Sequence, residues 1–152
     1  MNTMRKVILG LEAFVAVTAL VGGALLMARP DGGLLKLDVA IMNGTFSSFT
    51  IPGVLLFALG ALQALAAWLM ARGSRYDTAL SAFAGAILTL WIAAQMIFIG
   101  VGSVQQILFA AIGFAIYSLA MDLVHEGHGP HWLPTDDELR SWASRVGPVG
   151  AP

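Results

Sequence analysis

The chain has 152 residues, 58% of them hydrophobic and 11% charged, with a formal net charge of −1 and a mean hydropathy of +0.81. Soluble domains carry roughly 45–50% apolar and about 25% charged residues, so a water-soluble fold of this length could not hide so much apolar surface, and the charge balance gives no sign of nucleic-acid binding. The lack of cysteine excludes disulfides, thiolate metal sites, iron–sulfur clusters and cysteine nucleophiles.

Crossing a hydrocarbon core roughly 30 Å thick takes about 20 apolar residues in a helix. Four segments qualify: 7–27, 51–71, 78–100 and 104–124. Their apolar runs are continuous, without the alternation of barrel strands. The expected fold is therefore an all-α membrane protein, a four-transmembrane-helix bundle over residues 1–124 with a tail over 125–152. Arg5 and Lys6 precede the first span, Arg72 and Arg75 join the second to the third, and Arg140 and Arg145 lie in the tail. Only Arg29 and Lys36 fall on the other side. By the positive-inside rule both termini are expected in the cytoplasm of a bacterium, with the lipid of its plasma membrane as the first partner.

The first span resembles a signal peptide in its Arg5-Lys6 start, but its apolar run exceeds the usual 7–15 residues and Leu26 suits a cleavage site poorly. It is expected to be retained. Glu12, five residues inside it, is the clear ionisable residue of the spans. Residues three and four apart share a helix face, which aligns Glu12 with the small residues Ala16, Ala19 and Gly23, a stripe that lets another helix come close.

Residues 28–50 form the one long connection, and it is apolar: Leu34, Leu35, Leu37, Val39, Ile41, Met42, Phe46 and Phe49. Residues 34–42 read as a short amphipathic helix or extended segment in the outer interface, ended by Asn43-Gly44. The loop is either a lid over a cavity or a cap folded back on the bundle. Thr50 is the expected N-cap of the second span, with Pro52 in its first turn. The run Met42-Asn43-Gly44-Thr45-Phe46-Ser47-Ser48-Phe49-Thr50-Ile51-Pro52-Gly53 resembles a segment of small, uncharacterised bacterial four-helix membrane proteins. That resemblance covers a dozen residues and the span layout, and implies no activity.

The second span repeats the small-residue stripe at Gly60, Ala64, Ala67 and Ala71, bordered by Gln63. From a rise of 1.5 Å per residue, Glu12 lies roughly 8 Å inside the inner boundary, Gln63 about 12 Å, and Tyr117 and Ser118 of the fourth span about 10 Å, with Gly85 of the third span at a similar level. Glu12, Gln63, Tyr117 and Ser118 are thus expected in one intramembrane polar layer, with Glu12 hydrogen-bonded to Gln63 and to Tyr117. Gln95, Gln105 and Gln106 make a second polar group near the outer ends of the third and fourth spans. Such a layer either fixes helix register or lets Glu12 exchange a proton during transport. A lone glutamate in the first of four helices is similar to the small multidrug resistance transporters, which implies proton coupling at Glu12. This chain departs from that family in its length, its large outer loop, its lack of an aromatic-lined site in the middle spans, and the position of Glu12 near the inner boundary.

In the tail, His125, His128 and His131 stand beside Asp122 and Glu126. Imidazole and carboxylate ligate zinc, but Gly127, Gly129 and Pro130 favour a solvated linker over a rigid site, and no H-E-x-x-H pattern occurs. No cofactor is expected. Thr135-Asp136-Asp137-Glu138 reads as a capping box opening a short amphipathic helix over 136–146, with Leu139, Trp142, Ala143 and Val146 on one face. No Ser/His/Asp set, phosphate loop or paired carboxylate lies in the spans, so an enzyme is not expected. The leading expectation is a small structural or accessory membrane protein packed in a homo-oligomer or a larger membrane complex. The alternative is a small proton-coupled transporter or channel using Glu12.

Overall fold

The computed structural model describes residues 3–42, 44, 46–100, 103–128 and 136–146. The regular structure is all helical, with no strand among the described residues: α1 (Thr3–Ala28), α2 (Thr50–Arg72), α3 (Asp77–Ile99), α4 (Val104–Leu123) and α5 (Asp136–Val146). The first four are long and apolar enough to cross a membrane, which is the architecture of a multi-pass membrane protein. α1 begins four residues before the first expected span, so Arg5 and Lys6 lie in its first turns. α3 begins at Asp77, which brings a carboxylate into the bundle that the apolar-run count leaves outside.

Backbone chemistry sets the helix ends. α2 stops at Gly73, whose φ of 62° is the left-handed conformation glycine takes freely. The Gly73 N–H donates to Met70 O and the Ser74 N–H to Leu69 O, the Schellman arrangement that satisfies the last carbonyls of a helix. α4 starts with a capping box: Ser103 Oγ accepts from the helix, and Gln106 Oε1 accepts from the Ser103 N–H at 3.3 Å. The outer glutamine group is thereby resolved, since Gln106 closes a helix end while Gln105 is exposed. At the start of α2 the N-cap position belongs to Phe49; Ser48 Oγ, not Thr50, takes a free N–H there, that of Thr50 at 3.4 Å. The chain stays helical past α4 through one π-helical turn, Val124–His128, where the glycine content suggests a loose linker. Thr135 and His131 lie outside the described residues.

α1 packs chiefly on α2, and α3 chiefly on α4, while α2 with α3 and α1 with α4 meet over shorter stretches. The bundle is thus two antiparallel hairpins, with α1 and α3 on its diagonal. Glycine sets how close each hairpin is. A Cβ on Gly23 would stand 2.6 Å from the Phe57 nitrogen, and one on Gly85 2.7 Å from Gly113 O; neither has room. Apolar side chains form three layers. At the end that carries both termini, Ile8, Met70, Ala82, Ile116, Ala120 and Leu123 pack together. Val15, Leu59, Leu88 and Ile92 make the middle layer.

The third layer belongs to the long connection. Met42 and Phe49 pack on Leu26, with Val39, Phe46 and Leu56 around them, and the Phe49 N–H donates to Pro30 O at 2.8 Å. The connection is folded back on the bundle. It holds two 3-10 turns, Gly33–Leu35 and Val39–Met42, rather than the single amphipathic helix or extended segment expected over 34–42. Lys36 interrupts that helix with a φ of 54°. The Asp31 carboxylate accepts the Gly33 N–H at 3.0 Å, which, with Arg29 nearby, holds it below the usual carboxylate range.

The glycine contacts make opposite predictions for two alanine substitutions. At Gly10 nothing lies within 4 Å of a new Cβ, so Gly10→Ala should stabilise the helix by a few tenths to about 1 kcal/mol. Gly23→Ala must push α2 away and should cost about 1–3 kcal/mol. Thermal unfolding of both variants in one detergent measures the difference, and equal melting temperatures would refute the close-approach account.

Candidate functional site

One face of α1 carries Arg5, Ile8, Glu12, Ala16, Ala19 and Gly23 at the three- and four-residue spacing of a helical stripe. Every one from Ile8 onward is buried. Across the diagonal, α3 turns Asp77, Ser81, Ala84 and Leu88 inward. α2 adds Gln63, and α4 meets the same region with the apolar Ile116 and Ala120. Glu12, Gln63, Asp77, Thr78 and Ser81 have no solvent-exposed surface. They form a polar axis in the terminus-bearing half of the bundle.

Two of its contacts are well made. The Arg5 guanidinium faces Asp77 with both nitrogens: Nη2 donates to Oδ1 at 3.1 Å, and Nη1 lies 2.9 Å from Oδ2 as an ion pair without hydrogen-bond alignment. Asp77 is fully buried and the Arg5 side chain 18% exposed. Asp77 Oδ1 also accepts the Thr78 N–H, so the carboxylate sits at the positive start of α3. One level deeper, Gln63 Nε2 donates to Ala84 O at 3.0 Å, tying α2 to α3.

The third contact is different. The Glu12 carboxyl stands beside Ser81 Oγ and within electrostatic reach of Asp77. Among the described residues the Glu12 oxygens and Ser81 Oγ approach each other without meeting hydrogen-bond geometry, and neither Gln63 Oε1 nor Asp77 Oδ2 makes a hydrogen bond. A buried carboxylate without a partner is costly. Its one nearby cation, Arg5, already faces Asp77.

Of the residues expected in the polar layer, Glu12 and Gln63 reach the axis. They do not bond each other, because Gln63 Nε2 turns to α3. Tyr117 is 40% exposed and Ser118 half-buried; in α4 it is Gly113, Ile116 and Ala120 that face inward, and Tyr117 lies one residue, about 100°, round the helix from Ile116. Asp77, Ser81 and the inward turn of Arg5 escaped the sequence reading. Asp77 and Ser81 share a face by their spacing of four, a signal available once α3 is known to begin at Asp77. Among the described residues no three histidine, aspartate or glutamate side chains gather as metal ligands; His131 lies beyond those residues. Compared with protein-family models, curated proteins and solved structures, the chain matches none.

The axis predicts opposite signs for two charge-removing substitutions. Arg5→Gln leaves Asp77 buried and unpaired and should cost about 3–5 kcal/mol. Glu12→Gln replaces a buried carboxyl that lacks a well-made bond by an amide that can donate to Ser81 Oγ, so it should stabilise the fold by about 1–3 kcal/mol. Melting temperatures of the two purified variants check this. A Glu12→Gln protein that melts below the parent would mean that Glu12 holds the helices together.

Proposed function

We propose that this chain is a small proton-coupled transporter or channel of a bacterial plasma membrane, with Glu12 as the group that binds and releases the proton. The observation that carries this reading is the unpartnered Glu12 carboxyl on the bundle diagonal. Gln63, buried on the same axis, makes one tie between helices, from Nε2 to Ala84 O, although its Oε1 has no partner. Glu12 gains no such bond, so its presence is better explained by a change of protonation state than by adhesion. Ionisable groups inside membrane helices mark proton relays for this reason.

Arg5, Lys6, Arg72 and Arg75 belong to the terminus-bearing end and only Arg29 and Lys36 to the other, which favours termini in the cytoplasm. Arg72 lies over the Trp68 ring at 4.4 Å and Arg75 over Tyr76 at 4.6 Å, pairs suited to the headgroup level. On this orientation Glu12 is nearer the cytoplasm, and the folded-back connection caps the outer face. The second reading, a structural or accessory protein in a homo-oligomer or larger complex, is favoured by the glycine-set hairpins and by the Gln63 tie to α3.

Proteoliposomes loaded with a pH-sensitive dye separate the two. Under an imposed potential the parent should acidify or alkalinise the lumen, and Glu12→Gln, inserted to the same level, should lose roughly a hundredfold or more of that flux, the lower end for removing a proton-transfer group. Equal proton leak in both proteins and in empty vesicles would sink the transport reading and leave the structural one.

A further inference from the structure

Glu12 is enclosed, and its enclosure differs on its two sides. Toward the outer face the way is blocked by greasy side chains twice over, first by Val15, Leu59, Leu88 and Ile92 and then by Leu26, Met42 and Phe49. Toward the terminus-bearing end there is also an apolar layer, but a polar lane runs past it along the diagonal. Asp77 lies one helical turn before Ser81 on the same face of α3, Ser81 stands beside Glu12, and Arg5, the outermost member, is 18% exposed. Every polar group on the lane belongs to α1 or α3, the two helices that are not otherwise in extensive contact.

On these grounds, and resting on the proton-handling reading of Glu12, we propose that Arg5 and Asp77 are the inner gate of the site. Their two-pronged pair bridges α1 of one hairpin to α3 of the other at the mouth of the lane. While it is closed, water does not reach Ser81 or Glu12. When it parts, the hairpins separate at this end and Glu12 exchanges its proton with the cytoplasm. The glycine contacts lie within each hairpin, so a gate between the hairpins can open without breaking them. Arg5 and Asp77 are positioning residues here and carry no proton themselves.

The absence of cysteine makes the test free of background. Ser81→Cys places a thiol of similar size on the lane, and Leu88→Cys places a second reporter in the middle apolar layer. Each full-length protein, in membrane vesicles, is exposed to a membrane-impermeant maleimide. In the parent background both thiols should react slowly. Adding Arg5→Gln should speed labelling of the Ser81→Cys thiol by roughly tenfold or more, as expected when a charge-assisted contact is lost, and leave the Leu88→Cys thiol slow. Arg5→Lys should restore part of the protection, because it keeps the charge but not the two-pronged contact. Should Arg5→Gln fail to fold, the neutral pair Arg5→Gln with Asp77→Asn removes both charges together and should give the same acceleration. The gate is overturned if labelling at Ser81→Cys does not rise, if Leu88→Cys rises with it, or if Arg5→Lys does not protect. Labelling needs no transport, so a moving gate in a protein without proton flux would overturn the function proposed for Glu12 and keep the gate. Flux with unmoved labelling would do the reverse.

Discussion

A side chain as apolar as leucine gains nothing by leaving lipid for protein, so a bundle in a bilayer cannot rely on the hydrophobic effect to gather its helices. What remains is closeness of approach and a few polar ties, and this chain assigns them to different joints. Within each hairpin, backbone meets backbone where glycine has no Cβ, at Gly23 against Phe57 and at Gly85 against Gly113. Between the hairpins two apolar layers also meet, but the polar ties are found there and converge on the first half of α3: Arg5 on Asp77, Gln63 on Ala84 O, Glu12 beside Ser81. Dispersion contacts of the first kind are insensitive to protonation, and contacts of the second kind are not. The division makes two firm units and an adjustable seam between them.

The seam has unlike ends. At the outer end the long connection returns over the bundle and inserts Met42 and Phe49 beside Leu26, a seal with no charge in it. At the inner end the closing contact is an ion pair whose outer member is 18% exposed. Loosening a seal of the first kind exposes apolar area, which costs about 25 cal/mol per Å². Parting the ion pair is costly while Asp77 stays buried; the cost falls where water follows the partly exposed Arg5 side and solvates both partners. On the gate proposed above, this asymmetry gives Glu12 easier access from one side than from the other, the side that carries Arg5, Lys6, Arg72 and Arg75.

Much of this was legible in the residues. Four apolar runs gave four helices, and the line Glu12, Ala16, Ala19, Gly23 turned out to be a buried face, because composition and the 3.6-residue period act on each helix separately. On α2 the same reasoning was half right: Gly60 and Ala67 are buried, but Ala71 is exposed and Gly53 joins the contact. The failures concern relations between helices. Depth follows from counting along a helix, and rotation about its axis does not, so Tyr117 was put at the level of Glu12 without regard to the direction in which it points. Asp77 was lost because an apolar run is counted from its first apolar residue, while a helix can begin with a carboxylate whose charge suits its positive end. Arg5 reads as a topology signal, and nothing in one sequence tells that it also turns inward to a carboxylate on α3 seventy-two positions away.

On the proton-handling reading, the surroundings of Glu12 suit a change of state. A cation held against it would fix the carboxylate in its charged form, and the one cation on its face, Arg5, is committed to Asp77 by two contacts. A hydrocarbon wall alone would offer the charged form nothing. Ser81 does neither. A hydroxyl donates a hydrogen bond to a carboxylate and accepts one from a carboxylic acid after a rotation of its own proton, so it can serve both forms with only a small adjustment of either side chain. With Gln63 Oε1 also unpartnered, the axis holds polar capacity that the resting bundle does not use. A group meant only for adhesion would have spent that capacity; one that alternates between two protonation states needs some of it in reserve.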